Sequence, residues 1–409
     1  MMSDMPSETR SSPQGEAIVV GGGAAGLITA LALAAAGAQV HLLAPARRPD
    51  PRATALMDGS VKALEALGLW AELRPNASPL RVMRLVDDTR RLLRAPEVSF
   101  HAREMEIEAF AWNVENEALN DVLERAVATR PAIARVEGEL AGLRRQAGQS
   151  VVTLGDGRTL SAALVAAADG RESAVRRLLG IAAPTRPYPQ VAVTATLEHE
   201  RAHEDISTEF HTETGPCVLV PLPGRRCSIV CVTSPAEAET LMALDDEGFG
   251  LAIETRTHSL LGRMRLVSPR GSFPLAARTA EHFSAERTVL VGEAAHVIPP
   301  IGAQGLNLGI RDAATLAELV ADALRAGADI GSDAVTQAYE RRRRADVASR
   351  TFAVDLANRS LLSELMPVHG MRGFALWLMG RVPALRHAMM REGIGPSRDV
   401  PRLVAGKPL

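Results

Sequence analysis

The chain has 409 residues, a formal net charge of −2 and 23% charged residues, which excludes a strongly basic nucleic-acid-binding protein. Its 46% hydrophobic content supports one large α/β unit or two closely joined domains. Three cysteines, an odd number, favour a reducing compartment over a disulfide scaffold. Residues 1–14 are predicted to be disordered and carry no apolar targeting segment, so we predict a cytoplasmic protein.

The first element is a predicted strand–helix–strand unit with a glycine loop. A buried strand over 17–20 is followed by G-x-G-x-x-G and by a helix over 24–36. In such a loop the first glycine permits the turn, the second admits a diphosphate, and the third lets helix and strand pack. The alternative is a glycine-rich turn without a ligand. The predicted diphosphate-binding residues are Gly21, Gly23, Ala24, Ala25 and Gly26.

The second strand, over 39–43, ends at Ala44, where a carboxylate that binds the adenosine ribose is expected. A charge-assisted hydrogen bond contributes about 1.5–3 kcal/mol, so its loss would weaken binding about ten- to a hundredfold. Arg47, Arg48 and Arg52 are candidate replacements. An arginine here is also compatible with the 2′-phosphate of NADP, which leaves an NADP-linked reductase as a rival interpretation.

The middle of the chain predicts a sheet inserted into this unit. Helices are predicted over 60–67 and 117–129, with short strands between 80 and 109 and a hairpin turn at 155–157. Alternating patterns from 181 predict a sheet with one helix near 236–252. We therefore predict a discontinuous nucleotide-binding domain (15–180 and 276–350), a substrate domain (181–275) and a helical C-terminal region (351–409).

Two further motifs carry a family resemblance. "AAADGRESAVRRLLGI" contains Asp169 and Gly170, and "VGEAAHVIPPIGAQGLNLG" runs from Val291 to Gly309. Together with the glycine loop, they resemble the group A flavoprotein monooxygenases, above all the ubiquinone-biosynthesis hydroxylases. The resemblance implies an α/β fold of the para-hydroxybenzoate-hydroxylase type, with an FAD-binding Rossmann-like domain, an inserted mixed-sheet substrate domain and a helical C-terminus.

The resemblance also implies a flavin site. The acid after Gly292 would contact the ribityl chain, and the backbone over 302–307 would meet the isoalloxazine. Backbone N–H groups at the start of a helix near Leu306 would stabilise the negative charge of reduced flavin. The further cofactor-binding residues implied are Arg52, Asn116, Asp169, Gly170, Gly292, Glu293, Pro300, Gly302, Gln304, Gly305, Leu306 and Asn307, with Ala44 at the ribose position.

The implied reaction is aromatic hydroxylation with FAD, NAD(P)H and O₂ through a C4a-hydroperoxyflavin, on a polyprenylated phenol of ubiquinone biosynthesis. The sequence assigns no catalytic side chain and no metal site, and His296 is interpreted as structural. Ala44, Glu117 and Glu293 depart from the family pattern. They leave open a flavin-poor scaffold in a quinone-biosynthesis complex, and a hydroxylase of a soluble aromatic compound is a further alternative.

The C-terminal segment 372–391 interleaves apolar residues with arginines. Such a helix can lie on an anionic membrane surface, here the inner face of the membrane, or it can pack against the protein. Both interpretations stay open. The basic run at 341–344 is interpreted as a solvated helix face, and no nucleic-acid partner is predicted.

Overall fold

A computed structural model of the chain describes residues 15–90, 94–362, 382–394 and 399–409. Strands and helices are numbered below in chain order. The helices are α1 (Ala24–Ala35), α2 (Asp58–Ala66), α3 (Trp70–Leu73), α4 (Asn116–Ala128), α5 (Ala174–Leu178), α6 (Pro235–Ala243), α7 (Asp246–Arg256), α8 (Gln304–Arg325), α9 (Asp333–Leu362) and α10 (Pro383–Ile394). Short 3₁₀ turns cover Arg74–Asn76, Ala102–Met105, Gly292–Ala294 and Ile301–Ala303.

A six-stranded sheet forms the centre of the nucleotide-binding part. Its strands are β1 (Glu16–Val20), β2 (Gln39–Ala44), β8 (Ile133–Glu137), β12 (Leu164–Ala167), β19 (Ser284–Ala285) and β20 (Thr288–Leu290). They lie in the order β19-β20-β12-β1-β2-β8, and all pairs except β19–β20 are parallel. Continuous apolar runs such as 17–19 are fully buried, as in sheets with helices on both faces.

A nine-stranded sheet forms the predicted substrate side. It comprises β5 (Val82–Asp87), β6 (Val98–His101), β13 (Thr185–His199), β14 (Ile206–His211), β15 (Pro216–Leu222), β16 (Arg226–Thr233), β17 (Met264–Leu266), β18 (Gly271–Thr279) and β21 (His296–Val297). Strands β5, β6 and β21 come from outside 181–275, and the domain boundaries remain a prediction.

The prediction of a single helix near 236–252 is wrong, because two helices, α6 and α7, occupy this stretch. The chain leaves helical geometry at Leu244, and the Asp245 carboxylate then accepts the N–H of Gly248 at 2.7 Å to begin α7. Both helices cover one face of the nine-stranded sheet, where Phe249 and Ile253 of α7 are fully buried.

Two three-stranded sheets complete the fold. The first contains β9 (Leu140–Gln146), β10 (Gln149–Leu154) and β11 (Thr159–Ala162), and it includes the predicted hairpin at 155–157. The second contains β3 (Ala53–Met57), β4 (Ala77–Leu80) and β7 (Ala111–Glu115). Asn113 of β7 donates from its side-chain amide to Pro221 O at 2.9 Å, which joins this sheet to the nine-stranded one.

The C-terminal segment 372–391 is described only from residue 382 onward. In α10, the Arg386 guanidinium donates to the Glu104 carboxylate at 2.5 Å and lies over the Phe100 ring, and Met390 is buried. This face of α10 therefore packs against the protein, while Leu385 stays 42% exposed. Across the described ranges, every helix is too short or too polar to cross a membrane.

Candidate functional site

Three predicted motifs meet at the carboxyl edge of the six-stranded sheet. The glycine loop follows β1, Asp169 and Gly170 follow β12, and Gly292 and Glu293 follow β20, three strands that are neighbours in the sheet. The N–H of Ala168 donates to Val20 O at 2.7 Å, which holds the first two turns side by side. Dinucleotides bind at this edge in open α/β sheets.

The glycines of the loop are placed as a diphosphate site requires. A Cβ on Gly21, whose φ is +119°, would lie 2.2 Å from Ala168 O, and a Cβ on Gly26 would lie 1.9 Å from Gly21 O. Both would collide with backbone. A Cβ on Gly23 would meet nothing within 4 Å. The second glycine therefore faces open space at the start of α1, where a diphosphate would approach.

The helices α1 and α8 begin at this site without side-chain caps. Neither has a capping hydrogen bond or an acidic residue in its first turn. Gly302 and Ala303 adopt left-handed backbone conformations just before α8, and a Cβ on Gly305 would face open space. Uncapped N–H groups and the helix dipole favour an anion at each N-terminus.

The two helix N-termini and the β20 motif approach one another closely. A Cβ on Gly292, whose φ is +60°, would lie 3.3 Å from Ala25 Cβ, and a Cβ on Gly309 would lie 3.4 Å from Gly292 Cα. Gly309 of α8 thus has little space for a side chain. The first and last motifs, distant in sequence, form one continuous surface of main chain.

A buried charge network, which the sequence did not identify, holds Gly292 in place. The Asp312 carboxylate accepts the Gly292 N–H at 2.8 Å, His296 at 2.7 Å and Arg343 at 2.6 Å. Burial alone would raise the pKa of Asp312, but His296 and Arg343 outweigh it and hold that pKa below its ordinary value. His296 is thus buried within this network, and its structural role stays a prediction. The sequence feature that could have identified Asp312 is a single acidic residue within the apolar face of α8.

Arg176 joins the Asp-Gly motif to the Gly-Glu motif. This buried guanidinium donates to Ala294 O at 2.7 Å and to Arg171 O at 3.0 Å. Burial lowers the pKa of Arg176. Asp169 accepts the N–H of Val175 at 3.1 Å through Oδ2, while its buried Oδ1 has no hydrogen-bond partner among the residues that the structure describes. A polar ligand is compatible with that orphaned oxygen.

Glu293 lies beside two arginines at the mouth of the site. Its side chain is 51% exposed, and its carboxylate lies 3.6 Å from Arg171. Arg52 pairs with Asp50 at 2.7 Å, and Asn116 donates to the same carboxylate at 2.8 Å. The bond to Asp50 raises the pKa of Arg52, and Glu293 adds to the effect. Arg52 thus lies near Glu293 and is linked to Asn116 through Asp50, and contact of these residues with a cofactor stays a prediction.

The departures at Ala44 and Glu117 have local explanations. Ala44 is buried against the glycine loop. The Glu117 carboxylate accepts the N–H of Asp50 at 2.5 Å and pairs with Arg47, which also donates to Asp121. Arg47 is therefore bound by two carboxylates of α4. Arg52 pairs with Asp50, so neither arginine offers a simple replacement for the missing ribose carboxylate.

In the segment that leads into α8 and in the first turns of this helix, the main chain rather than the side chains can face a ligand. The Asn307 amide donates to Ala55 O at 2.8 Å and accepts from Ser60 Oγ at 2.6 Å and from Met57 N at 2.8 Å. Leu306 packs on the core. Among the other predicted residues, Gln304 is buried and donates to the Gly302 carbonyl, Pro300 is exposed, and Gly170 has a positive φ.

This fold and edge geometry define a flavin-dinucleotide-binding protein. A family model described as an FAD binding domain matches residues 14–353. Ubiquinone hydroxylase UbiL of Rhodospirillum rubrum is 33% identical over 407 residues, covering 96% of this chain and 93% of the relative. The 3-demethoxyubiquinol 3-hydroxylase of Escherichia coli is 30% identical, covering 93% and 98%.

Solved structures agree on the fold. The p-nitrophenol 4-monooxygenase PnpA from Pseudomonas putida superimposes with a TM-score of 0.77 at 21% identity, covering 93% of this chain and 98% of that one. HpxO from Klebsiella pneumoniae, complexed with FAD and uric acid, gives 0.76 at 22% identity, with coverages of 94% and 98%.

The chain therefore belongs to the FAD-binding group A flavoprotein monooxygenases, and it is an FAD-dependent monooxygenase. The predicted family, fold class, cofactor and enzyme class are confirmed.

Proposed function

We propose that the protein hydroxylates the aromatic ring of a polyprenylated phenol in ubiquinone biosynthesis, with NAD(P)H as reductant and O₂ as the source of oxygen. The names of the two relatives support the pathway. The observation that supports a lipid-like substrate is an apolar cluster on one face of the nine-stranded sheet, next to the exposed ring of Phe273, which lies beside Arg52.

This apolar face lies opposite the one that α6 and α7 cover. Ala192 pairs with Val232 and with Phe273 across β16, β13 and β18, so these side chains share a face. The neighbouring Leu275 packs against Ala192 and Val232, with Val230 packed on the same cluster. Ala192, Val232 and Leu275 are buried in this cluster, whereas Phe273 is exposed, so Phe273 is the side chain that a prenyl chain can reach. Each CH₂ buried there would contribute about 0.8 kcal/mol.

Phe273 links the apolar face to the cofactor motifs. Its ring is 37% exposed, and the Arg52 guanidinium lies 5.6 Å from the ring centroid. Since Arg52 is also near Glu293 at the end of β20, the apolar face begins where the flavin motif ends. An aromatic ring seated between them would have a hydrophobic wall on one side and the cofactor on the other.

When bound, FAD supplies the redox chemistry: it accepts a hydride from NAD(P)H and activates O₂ for transfer of one oxygen atom to the ring. The residues of this chain would bind the cofactor and orient it. The N-terminus of α1 would hold the diphosphate, and the uncapped N-terminus of α8 would stabilise negative charge on the reduced ring. Asp312 fixes the turn at Gly292 between them.

The test is turnover of the purified, FAD-loaded protein with a polyprenylated phenol and a short-chain analogue. Phe273→Ala should raise KM for the prenylated phenol about tenfold, since a large apolar contact is lost, and should change KM for the analogue less. The matched control is Phe352→Ala, at a 70% exposed phenylalanine on α9.

Other outcomes select the alternatives. A colourless protein that gains no FAD on titration favours the scaffold in a quinone-biosynthesis complex. Turnover of soluble aromatic compounds alone, with normal quinone and no accumulated prenylphenol in a deletion strain, contradicts the proposed substrate.

We also propose that α10 helps to place the enzyme on an anionic membrane surface. Val382 and Leu385 are exposed, which supports the contact, whereas Arg386 is engaged by Glu104. Leu385→Asp should reduce co-sedimentation with anionic vesicles, and binding equal to that of the wild type would overturn the proposal.

A further inference from the structure

The end of β2, at position 44, lacks the carboxylate that is expected to bind the adenosine ribose. Ala44 ends β2 beside the glycine loop, and a Cβ on Gly22 would lie 2.7 Å from Ala44 Cβ. A methyl group therefore occupies the position of the expected acid. A ribose presents hydroxyl groups, and a polar side chain from a neighbouring element is the candidate partner for them here.

Glu137 on β8 pairs with Ala44 across the sheet and is the acid in register with this point. Further acids lie on α4, and each of them holds an arginine. Glu117, Asp121 and Glu124 are four and three residues apart, so they share one helix face. Glu117 and Asp121 bind Arg47, and Glu124 binds Arg135. The acidic face of α4 thus positions two guanidinium groups beside the end of β2.

Of these two arginines, Arg135 is the one with a terminal nitrogen to spare, because both terminal nitrogens of Arg47 donate to α4. It lies on β8, beside β2, in register with Leu42. Its Nη1 donates to Glu124, while Nη2 would be 3.8 Å from a Cβ on Gly22, and no described residue forms a hydrogen bond with Nη2. The side chain is 34% exposed, so a ligand can reach it.

We propose that Arg135 donates a hydrogen bond to the adenosine ribose hydroxyls of bound FAD, and that Glu124 positions it for this contact. A hydroxyl oxygen accepts as well as donates, so an arginine can replace a carboxylate with the direction of the bond reversed. The proposal rests on the FAD-dependent function and adds the residue that compensates for Ala44.

The test compares FAD with an analogue whose adenosine is 2′,3′-dideoxy. Dissociation constants for the flavin-free protein are measured by quenching of flavin fluorescence. The wild type should bind the analogue about ten- to a hundredfold more weakly, because a charge-assisted hydrogen bond is lost. Arg135→Leu should bind both cofactors equally, at the level of the analogue.

The matched control is Arg125→Leu on α4, which removes a 59% exposed arginine paired with Glu72. This variant should prefer FAD over the dideoxy analogue by the same factor as the wild type. Glu124→Gln should reduce the preference for FAD over the dideoxy analogue. The melting temperature of the flavin-free variant should stay within a few degrees of the wild-type value. If Arg135→Leu does not fold, Arg135→Lys takes its place. This variant should lose most of the preference for FAD over the analogue, because one ammonium group cannot bond both Glu124 and the ribose.

Equal weakening of both cofactors by Arg135→Leu, with the discrimination intact, would overturn the proposal, since a merely structural arginine has that effect. A wild-type protein that binds neither cofactor overturns the FAD assignment itself. The two failures are therefore distinguishable.

Discussion

Gly23 offers the most informative single substitution in the nucleotide-binding loop. Its backbone, with φ −77° and ψ 173°, suits any residue, and a Cβ there would meet nothing within 4 Å. Gly23 is also the N-cap of α1, where alanine is less favourable than glycine, while alanine has less freedom in the unfolded chain. Because these effects oppose each other, Gly23→Ala should change the stability of the flavin-free protein by less than about 1 kcal/mol. The same methyl group would stand where the diphosphate approaches the backbone.

The expected loss of FAD affinity follows from that obstruction. Each charge-assisted hydrogen bond that the displaced diphosphate loses contributes about 1.5–3 kcal/mol, so the dissociation constant should rise at least tenfold. Urea unfolding of the flavin-free protein and FAD titration measure the two effects separately.

Gly26→Ala is the contrasting variant. Its Cβ would lie 1.9 Å from Gly21 O, so the backbone must shift, and we expect a loss of stability of about 1–3 kcal/mol or more. A folded Gly23→Ala protein that binds FAD as tightly as the wild type would refute the placement of the diphosphate.

Three further substitutions test the elements around the site. Asp312→Asn should lower the free energy of unfolding in urea by about 3–5 kcal/mol, because it breaks a buried ion pair, whereas Asp322→Asn on the exposed side of α8 should change it by less than about 0.5 kcal/mol. Asn307→Ala should cost about 1–3 kcal/mol for each buried partner left unpaired, measured in the same way. Arg386 lowers the pKa of Glu104 from 4.5 to about 2, so this carboxylate stabilises the fold above pH 4.5 and the contribution is lost as pH falls toward 2. Glu104→Gln should therefore show a shallower loss of stability between pH 4.5 and 2, and an unchanged slope would contradict the assignment.

The local motifs were predictable because glycine spacing reports backbone geometry directly. Gly21, Gly23 and Gly26 fix a turn whose steric demands are the same in any strand–helix unit. The structure shows those demands as collisions at Gly21 and Gly26 and as open space at Gly23. The apolar run before Gly21 likewise predicts a buried parallel strand. The family resemblance then supplied the identity of the ligand, which spacing alone does not give.

Partners that lie far apart in sequence were not predictable. Arg135 acts beside Ala44 only because β8 is the neighbour of β2 in the sheet, and strand order is not written in either segment. Asp312 reaches Gly292 across a helix and a turn. The break between α6 and α7 was missed because Asp245 is a helix cap within a pattern that otherwise continues as helical.

The reaction proposed for this FAD site is hydroxylation of a prenylated phenol with molecular oxygen. It can be tested by the mass of the product that the FAD-loaded protein forms from a polyprenylated phenol and NAD(P)H under ¹⁸O₂. We expect a ring-hydroxylated product that carries a single ¹⁸O atom. An unlabelled product, or oxidation of NAD(P)H that the phenol never accelerates, would contradict it.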